Sequence, residues 1–166
     1  IQGVAFTGST EVARSIQRVL ARRLAASGAP VPLVAETGGI NAMVVDSSAL
    51  PEQAVADILA SAFDSAGQRC SALRILCVQE EAAPRLLGML RGAMRELAIG
   101  DPALPETDVG PVISQAARAA ILAHVEAMRA RGFVVEAAEA PPGRFVAPTL
   151  VAIGRVADLG REVFGP

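Results

Sequence analysis

Hydrophobic positions along the chain follow two spacings that trade places. Short apolar runs at Val4-Ala5-Phe6-Thr7, Leu33-Val34-Ala35 up to Glu36, Ala42 to Asp46 and Arg74 to Gln79 predict strands. Between them, apolar residues recur at helical spacing. From Glu11, one face carries Val12, Ile16, Val19, Leu20 and Leu24, with Arg14, Arg18 and Arg22 on another. A second helix, capped by Ser47 or Ser48 with Pro51 in its first turn, carries Leu50, Ala54, Ile58, Leu59, Ala62 and Phe63. A third, from Glu81 to Ala98, turns Leu86, Leu87, Leu90, Met94 and Leu97 inward, and a fourth, from Ile113 to Arg131, does so with Ala117, Ile121, Val125 and Met128. An irregular connection runs from Gly100 to Pro111, and Phe133 to Val135 and Phe145 to Ile153 read as final strands. Strand alternating with helix is the pattern of an α/β fold, a parallel sheet in three layers with helices on both faces. Cys77, in phase with Ile75 on its strand, is expected in the core.

Composition narrows the function classes. Apolar residues make up 52% of the 166, but Arg, Glu and Asp interrupt them before any run reaches bilayer length. The formal charge of -2 and the absence of Trp and Tyr give no basic or stacking footprint for nucleic acid. Two cysteines seven residues apart, without a signal peptide, argue for a reducing, cytoplasmic setting and against a disulfide framework. One His and two Cys without CxxC spacing close no metal shell, so no metal is expected. The chain opens without Met just before a strand and stops on Phe164-Gly165-Pro166, which reads as a segment cut from a longer protein.

The candidate chemistry centres on Ser65-Ala66-Gly67-Gln68-Arg69-Cys70-Ser71-Ala72, between a helical pattern and a strand pattern. Cys70 then lies on a turn, where a side chain can face a cleft. Gly67 permits backbone angles closed to other residues, and Arg69 places a positive charge beside the sulfur, which would favour the thiolate. On residues alone, a lone Cys in an apolar chain is more often a small buried hydrophobe than a catalyst. Glu36 closes a strand, where α/β sheets border ligands, and Gly38-Gly39 after it would let backbone approach a ligand. Gly8 ends the first strand and Glu11 sits in the first turn of the next helix; such a turn presents N–H donors to a phosphate, although an ordinary βα turn looks the same. His124, at the edge of its helical stripe, reads as a boundary residue.

Four motifs stand in order along the chain: Phe6-Thr7-Gly8-Ser9-Thr10-Glu11, Glu36-Thr37-Gly38-Gly39, Gly67-Gln68-Arg69-Cys70 and Glu162-Val163-Phe164-Gly165-Pro166. Together they resemble the aldehyde dehydrogenase superfamily. Glu36 to Asp46 and Asp64 to Arg74 resemble the glutamate-semialdehyde dehydrogenase part of bacterial bifunctional proline-utilisation enzymes, and the likeness covers nearly the whole chain. The resemblance implies Cys70 as nucleophile and Glu36 as general base, with Thr7, Gly8, Ser9 and Gly38 at the NAD cofactor. Glu162 would accept hydrogen bonds from a ribose, Phe164 would pack near the nicotinamide, and Ser71 would help bind the substrate carboxylate. Asp108-Val109-Gly110-Pro111 also resembles a superfamily segment, to which a positioning role is assigned. The superfamily usually carries Gly where this chain has Ala13.

Residues 1–39 are accordingly expected to be the C-terminal end of an NAD-binding, Rossmann-type domain, and residues 40–166 the N-terminal part of the catalytic domain. The expected function is NAD-dependent oxidation of glutamate γ-semialdehyde to glutamate, in a homo-oligomeric parent acting on a small aldehyde, with no nucleic-acid partner and no transmembrane segment. A cysteine-dependent thioester hydrolase or acyltransferase, and a non-catalytic folding or assembly module, are the alternatives. The isolated segment is expected to fold, to expose surface that favours self-association, and to have little activity.

Overall fold

In the computed structural model, which describes residues 1–166, the chain divides after Gly39 into two units. In the first, β1 (Val4–Thr7) and β2 (Leu33–Glu36) pair in parallel, Val4 opposite Leu33 and Thr7 opposite Glu36. Helix α1 (Thr10–Leu20) connects them. Ser9 caps it, its Oγ accepting from Val12 N at 3.3 Å, and Glu11 lies in the first turn, where the helix dipole favours an acid. The helix buries Ala13 and Leu20, while Val12, Val19 and Leu24 of the expected stripe are exposed. Leu24 lies beyond the helix, in a loop bridging to Pro30. A two-stranded unit with one helix has too little surface to cover a whole helical stripe.

The second unit is built on β3 (Asn41–Val45) and β4 (Leu73–Val78), again parallel. Helix α2 (Pro51–Phe63) lies between them in sequence and packs on β4 and on α3 (Ala83–Glu96). Pro51 takes the first helical position, where its missing N–H costs nothing. The expected serine cap does not form. Leu50 is the N-cap, without a side-chain bond, because Ser48 N and Oγ both turn back to Asp46 Oδ1 at 2.9 and 2.6 Å. Those bonds hold the Asp46 carboxyl below its ordinary pKa. Helix α4 (Gln115–Ala130) does have a serine cap: Ser114 Oγ accepts from Ala117 N at 3.1 Å.

The core of this unit gathers Ile58 and Phe63 of α2, Leu86, Leu90 and Met94 of α3, and Ile121 of α4. Its most enclosed members come from the irregular connection, where Val109 and Val112 have no exposure at all. Of the last strands, β5 (Val135–Ala137) begins where the expected Phe133 to Val135 ends, and β6 (Thr149–Val151) is shorter than the expected Phe145 to Ile153; they pair antiparallel. Arg91 on α3 reaches both Glu136 oxygens at 2.9 Å and tethers β5 to the helices.

The expectation that Cys77 is buried fails: it is exposed. Helices cover only one face of the β3–β4 pair. Val44, paired with Cys77 across the ladder, is 78% exposed, and Ala42 is exposed beside it. An unbroken apolar strand predicts burial on both sides, and only one side is covered here. No helix is long and apolar enough to cross a membrane.

Leu90 is 1% exposed, so Leu90→Ala should cost about 2–5 kcal/mol through lost transfer energy and a residual cavity. Val44→Thr, on the uncovered face, should stay within about 0.5 kcal/mol. Urea midpoints of the two variants check this, and equal losses would contradict the assignment of the covered face.

Candidate active site

The Cys70 turn begins where α2 ends. A single 3-10 turn, Asp64–Gly67, follows Phe63, and within it Ser65 (φ 57°), Ala66 (φ 52°) and Gly67 (φ 63°) are all left-handed. Each of the two non-glycine residues costs roughly 1–2 kcal/mol in this conformation. The cost is offset by what the turn makes possible. Ala66 is 1% exposed within the core cluster, and Gln68 N donates to Ser65 O at 3.0 Å. At Gly67 only glycine fits, because a Cβ there would lie 2.7 Å from the carbonyl carbon of Gly165 and 2.8 Å from Ala62 O.

Three side chains then fix the backbone around the cysteine. Asn41 Nδ2, at the start of β3, donates to Cys70 O at 2.7 Å and Ala72 O at 3.0 Å. Gln68 reaches the other way: its Nε2 donates to Pro111 O at 3.4 Å and its Oε1 accepts from Ile113 N at 2.8 Å. The Asp108–Pro111 segment is thereby joined to the turn. Arg74, on β4, donates through one terminal nitrogen to Gly67 O at 2.5 Å and Arg69 O at 3.4 Å, and through the other to Gly165 O at 2.9 Å. Cys70 itself is exposed, as is Ser71, and the Cys70 N–H donates to no protein acceptor. An exposed thiol with a free backbone donor beside it, on a braced turn, can attack an electrophile and stabilise the oxyanion that forms.

Arg69 does not stand by the sulfur as expected. Its guanidinium turns back to α2, donating to Ala60 O at 2.9 Å and lying 3.8 Å from the Asp64 carboxylate. Those acceptors draw the side chain away. The guanidinium braced against the turn is that of Arg74.

Phe164 is 44% exposed, and the Arg74 guanidinium carbon lies 5.4 Å from the centre of its ring, within cation–π range. Glu162 is half-buried, and its Oε1 is sealed from solvent without a hydrogen-bond donor. Burial lowers the Arg74 pKa, and the Glu162 carboxylate acts in the opposite direction, favouring the cation. In the first unit, Thr7, Gly8 and Glu36 meet at the carboxyl end of the parallel pair. Thr7 is opposite Glu36, and Gly8 N donates to Glu36 O at 3.1 Å. Ser9 follows as the α1 cap; Glu36 and Gly38 are exposed. His124 is half-buried in α4 with its pKa lowered by desolvation and then by Arg161 and Arg131.

Residues 1–166 match the aldehyde dehydrogenase family. The chain belongs to that family. It is 57% identical to the bifunctional protein PutA of Escherichia coli (strain K12), over all of this chain and 13% of that protein. To the 1-pyrroline-5-carboxylate dehydrogenase of Bacillus cytotoxicus it is 35% identical, over 98% of this chain and 32% of the other. A crystal structure of bifunctional proline utilization A superposes with a TM-score of 0.94 at 54% identity, over the whole of this chain and 17% of that one. The chain thus spans a small part of its family relatives, and the likeness to them carries the α/β fold expected from the alternating pattern.

The first unit offers main-chain donors that suit an anion. The start of α1 carries N–H groups that the helix cannot satisfy internally, suited to phosphate oxygens. In the second unit, Glu162 Oε1 has no donor but is sealed from solvent, so it offers no open acceptor to a ligand in this conformation. Reading the sequence missed Arg74, Asn41 and Gln68 as supports of the turn. The only signal for them was adjacency to the cysteine motif, since nothing in spacing says which carbonyls a polar side chain will reach.

Gly67→Ala should displace the turn, because its Cβ meets backbone and the neighbouring segment must give way. Activity of the enzyme carrying this segment is expected to fall about 100-fold, the scale of an ångström-sized misplacement. Gly132, also at positive φ but with open space around it, serves as the comparison; Gly132→Ala should cost roughly 1 kcal/mol of stability and leave turnover intact. Steady-state assays and melting curves of both variants check this, and a fully active Gly67→Ala would contradict the turn's role.

Proposed function

We propose that this chain is the part of an NAD-dependent aldehyde dehydrogenase that carries the nucleophile, Cys70, and the general base, Glu36, and that the enzyme oxidises glutamate γ-semialdehyde to glutamate. The observation that carries this reading is the exposed Cys70 on a turn whose backbone is fixed from three directions, with its own N–H unpaired. The names of the relatives support the substrate class: the open-chain form of 1-pyrroline-5-carboxylate is an aldehyde that also bears a carboxylate. In this reading residues 1–39 close the NAD-binding domain and residues 40–166 open the catalytic domain.

The Cys70 thiolate adds to the aldehyde carbon and forms a thiohemiacetal, whose oxyanion takes the Cys70 N–H. Bound NAD supplies the hydride acceptor that lets the thiohemiacetal become a thioester. Glu36 then draws a proton from water, which attacks the thioester carbonyl and releases glutamate with the thiol restored. Thr7, Gly8, Ser9 and Gly38 would hold the dinucleotide, Glu162 would accept from a ribose, and Phe164 would offer its exposed ring to the nicotinamide. Ser71, exposed next to Cys70, would donate to the substrate carboxylate. A cysteine hydrolase would need a histidine base beside the sulfur, and the single histidine makes no hydrogen bond to it from α4.

Glu36→Gln should leave the first turnover intact and slow deacylation, so that stopped-flow absorbance shows a burst of NADH stoichiometric with enzyme and then a slow steady state. Loss of the burst, with normal hydrolysis of a preformed thioester, would contradict the base assignment. Ser71→Ala should lower kcat/KM for glutamate semialdehyde by about 10-fold or more relative to an aldehyde without a carboxylate, since only the first offers the serine a charged partner.

A further inference from the structure

We infer that Arg74 is a positioning residue: it locks the Cys70 turn to the Phe164–Gly165 segment, so that one guanidinium sets both the nucleophile and the surface offered to the dinucleotide. This rests on the reading of Cys70 and Phe164 given above. The carbonyls of Gly67 and Arg69 come from the turn, Arg69 directly preceding the nucleophile; the carbonyl of Gly165 comes from far along the chain and directly follows Phe164. All three converge on the two terminal nitrogens of one planar group. The same group lies 5.4 Å from the Phe164 ring centre. Backbone meets backbone at this point, since a Cβ on Gly67 would strike Gly165.

Arginine suits the position for reasons lysine cannot match. A guanidinium presents donors in a rigid plane that reaches carbonyls on two sides and still stacks on an aromatic face, whereas an ammonium is a compact point charge. The site also accepts a penalty that a purely structural contact would avoid. Arg74 Nε is buried without a partner, and Glu162 Oε1 is buried in the same condition. A buried charge with an orphaned donor is a poor way to gain stability. It is a good way to hold two loops in one fixed relation, because every donor that is used ends on main chain. Glu162, two residues before Phe164, supplies the compensating charge, so the segment that would contact ribose and nicotinamide meets the nucleophile turn through the same side chain.

The test uses the full-length enzyme containing this segment, with Arg74→Lys, Arg74→Ala and Cys70→Ala compared to the parent. Four quantities are read: the rate of Cys70 alkylation by iodoacetamide without dinucleotide, NAD affinity by calorimetry, kcat, and melting temperature. Arg74→Lys is expected to fold with a melting temperature within a few degrees of the parent, while Cys70 alkylation shifts several-fold, NAD binds about 10-fold more weakly and kcat falls about 10- to 100-fold, the scale of a misplaced reacting group. Methylguanidinium added to Arg74→Ala should restore part of both NAD affinity and kcat. Parental alkylation, affinity and kcat in Arg74→Lys would overturn the inference, as would losses in Arg74→Ala that follow melting temperature alone and ignore methylguanidinium. A Cys70→Ala enzyme that still turns over would overturn the nucleophile reading on which the inference rests; an inactive Cys70→Ala beside a parent-like Arg74→Lys would overturn the positioning role alone.

Discussion

A half-buried guanidinium must find carbonyls, and the carbonyls that Arg74 finds are those that set the cysteine turn. Each bond from a charged donor is worth roughly 1.5–3 kcal/mol, and the two short ones, to Gly67 O and Gly165 O, together match or exceed the roughly 2–4 kcal/mol of left-handed strain at Ser65 and Ala66. The strain and the bonds belong to one device. Three consecutive left-handed residues swing the Gly67 carbonyl toward Arg74, and the arginine holds it there. Helix α2 already ends at its C-cap Asp64 (ψ 141°), and the strained run carries the chain from there to the exposed Cys70. Asn41 and Gln68 add neutral bonds worth about 0.5–1.5 kcal/mol each, and they orient the turn toward β3 and the Pro111 segment.

The two units divide the chemistry. The first, with one helix and a pair of parallel strands, carries Thr7, Gly8, Ser9 and Glu36 at the carboxyl end of its sheet. That is where α/β proteins bring ligands, because strand ends and helix starts leave main-chain groups unpaired. The second unit carries Cys70, the nucleophile of the proposed reaction, and the only extensive core. Its rigidity comes from Leu86, Leu90, Met128 and the sealed valines of the connection, so the turn rests on packed helices and not on a mobile loop. The uncovered face at Ala42, Val44 and Cys77 belongs to the same strands that carry this frame.

Element type was legible wherever periodicity was long: all four helices and the first four strands lie where the spacing puts them. Burial was less legible, because the spacing reports which residues share a face and not whether anything covers it. Val12, Val19, Val44 and Cys77 are apolar in pattern and exposed in fact. Conversely, Val109 and Val112, in and just after the irregular Gly100 to Pro111 connection, belong to no apolar period and are fully enclosed. The turn that carries Cys70 was legible through its motif, but the partners of Arg69 were not. A side chain next to Cys70 in sequence points away from it, toward Ala60 and Asp64, while Arg74, four residues on, braces the turn. Polar side chains go to whichever main-chain acceptors the tertiary fold leaves open, and that information is non-local.

The central claim is that Cys70 carries the substrate as a thioester, and acid quenching during turnover reads it directly. Arg69 and Arg74 flank Cys70, so trypsin separates it from Cys77, which falls on the peptide beginning at Ile75. With glutamate semialdehyde and NAD, the account predicts a glutamyl mass increment on the Cys70 peptide. An increment on the Cys77 peptide, or none on either while NADH accumulates in the enzyme slowed at deacylation, would contradict it.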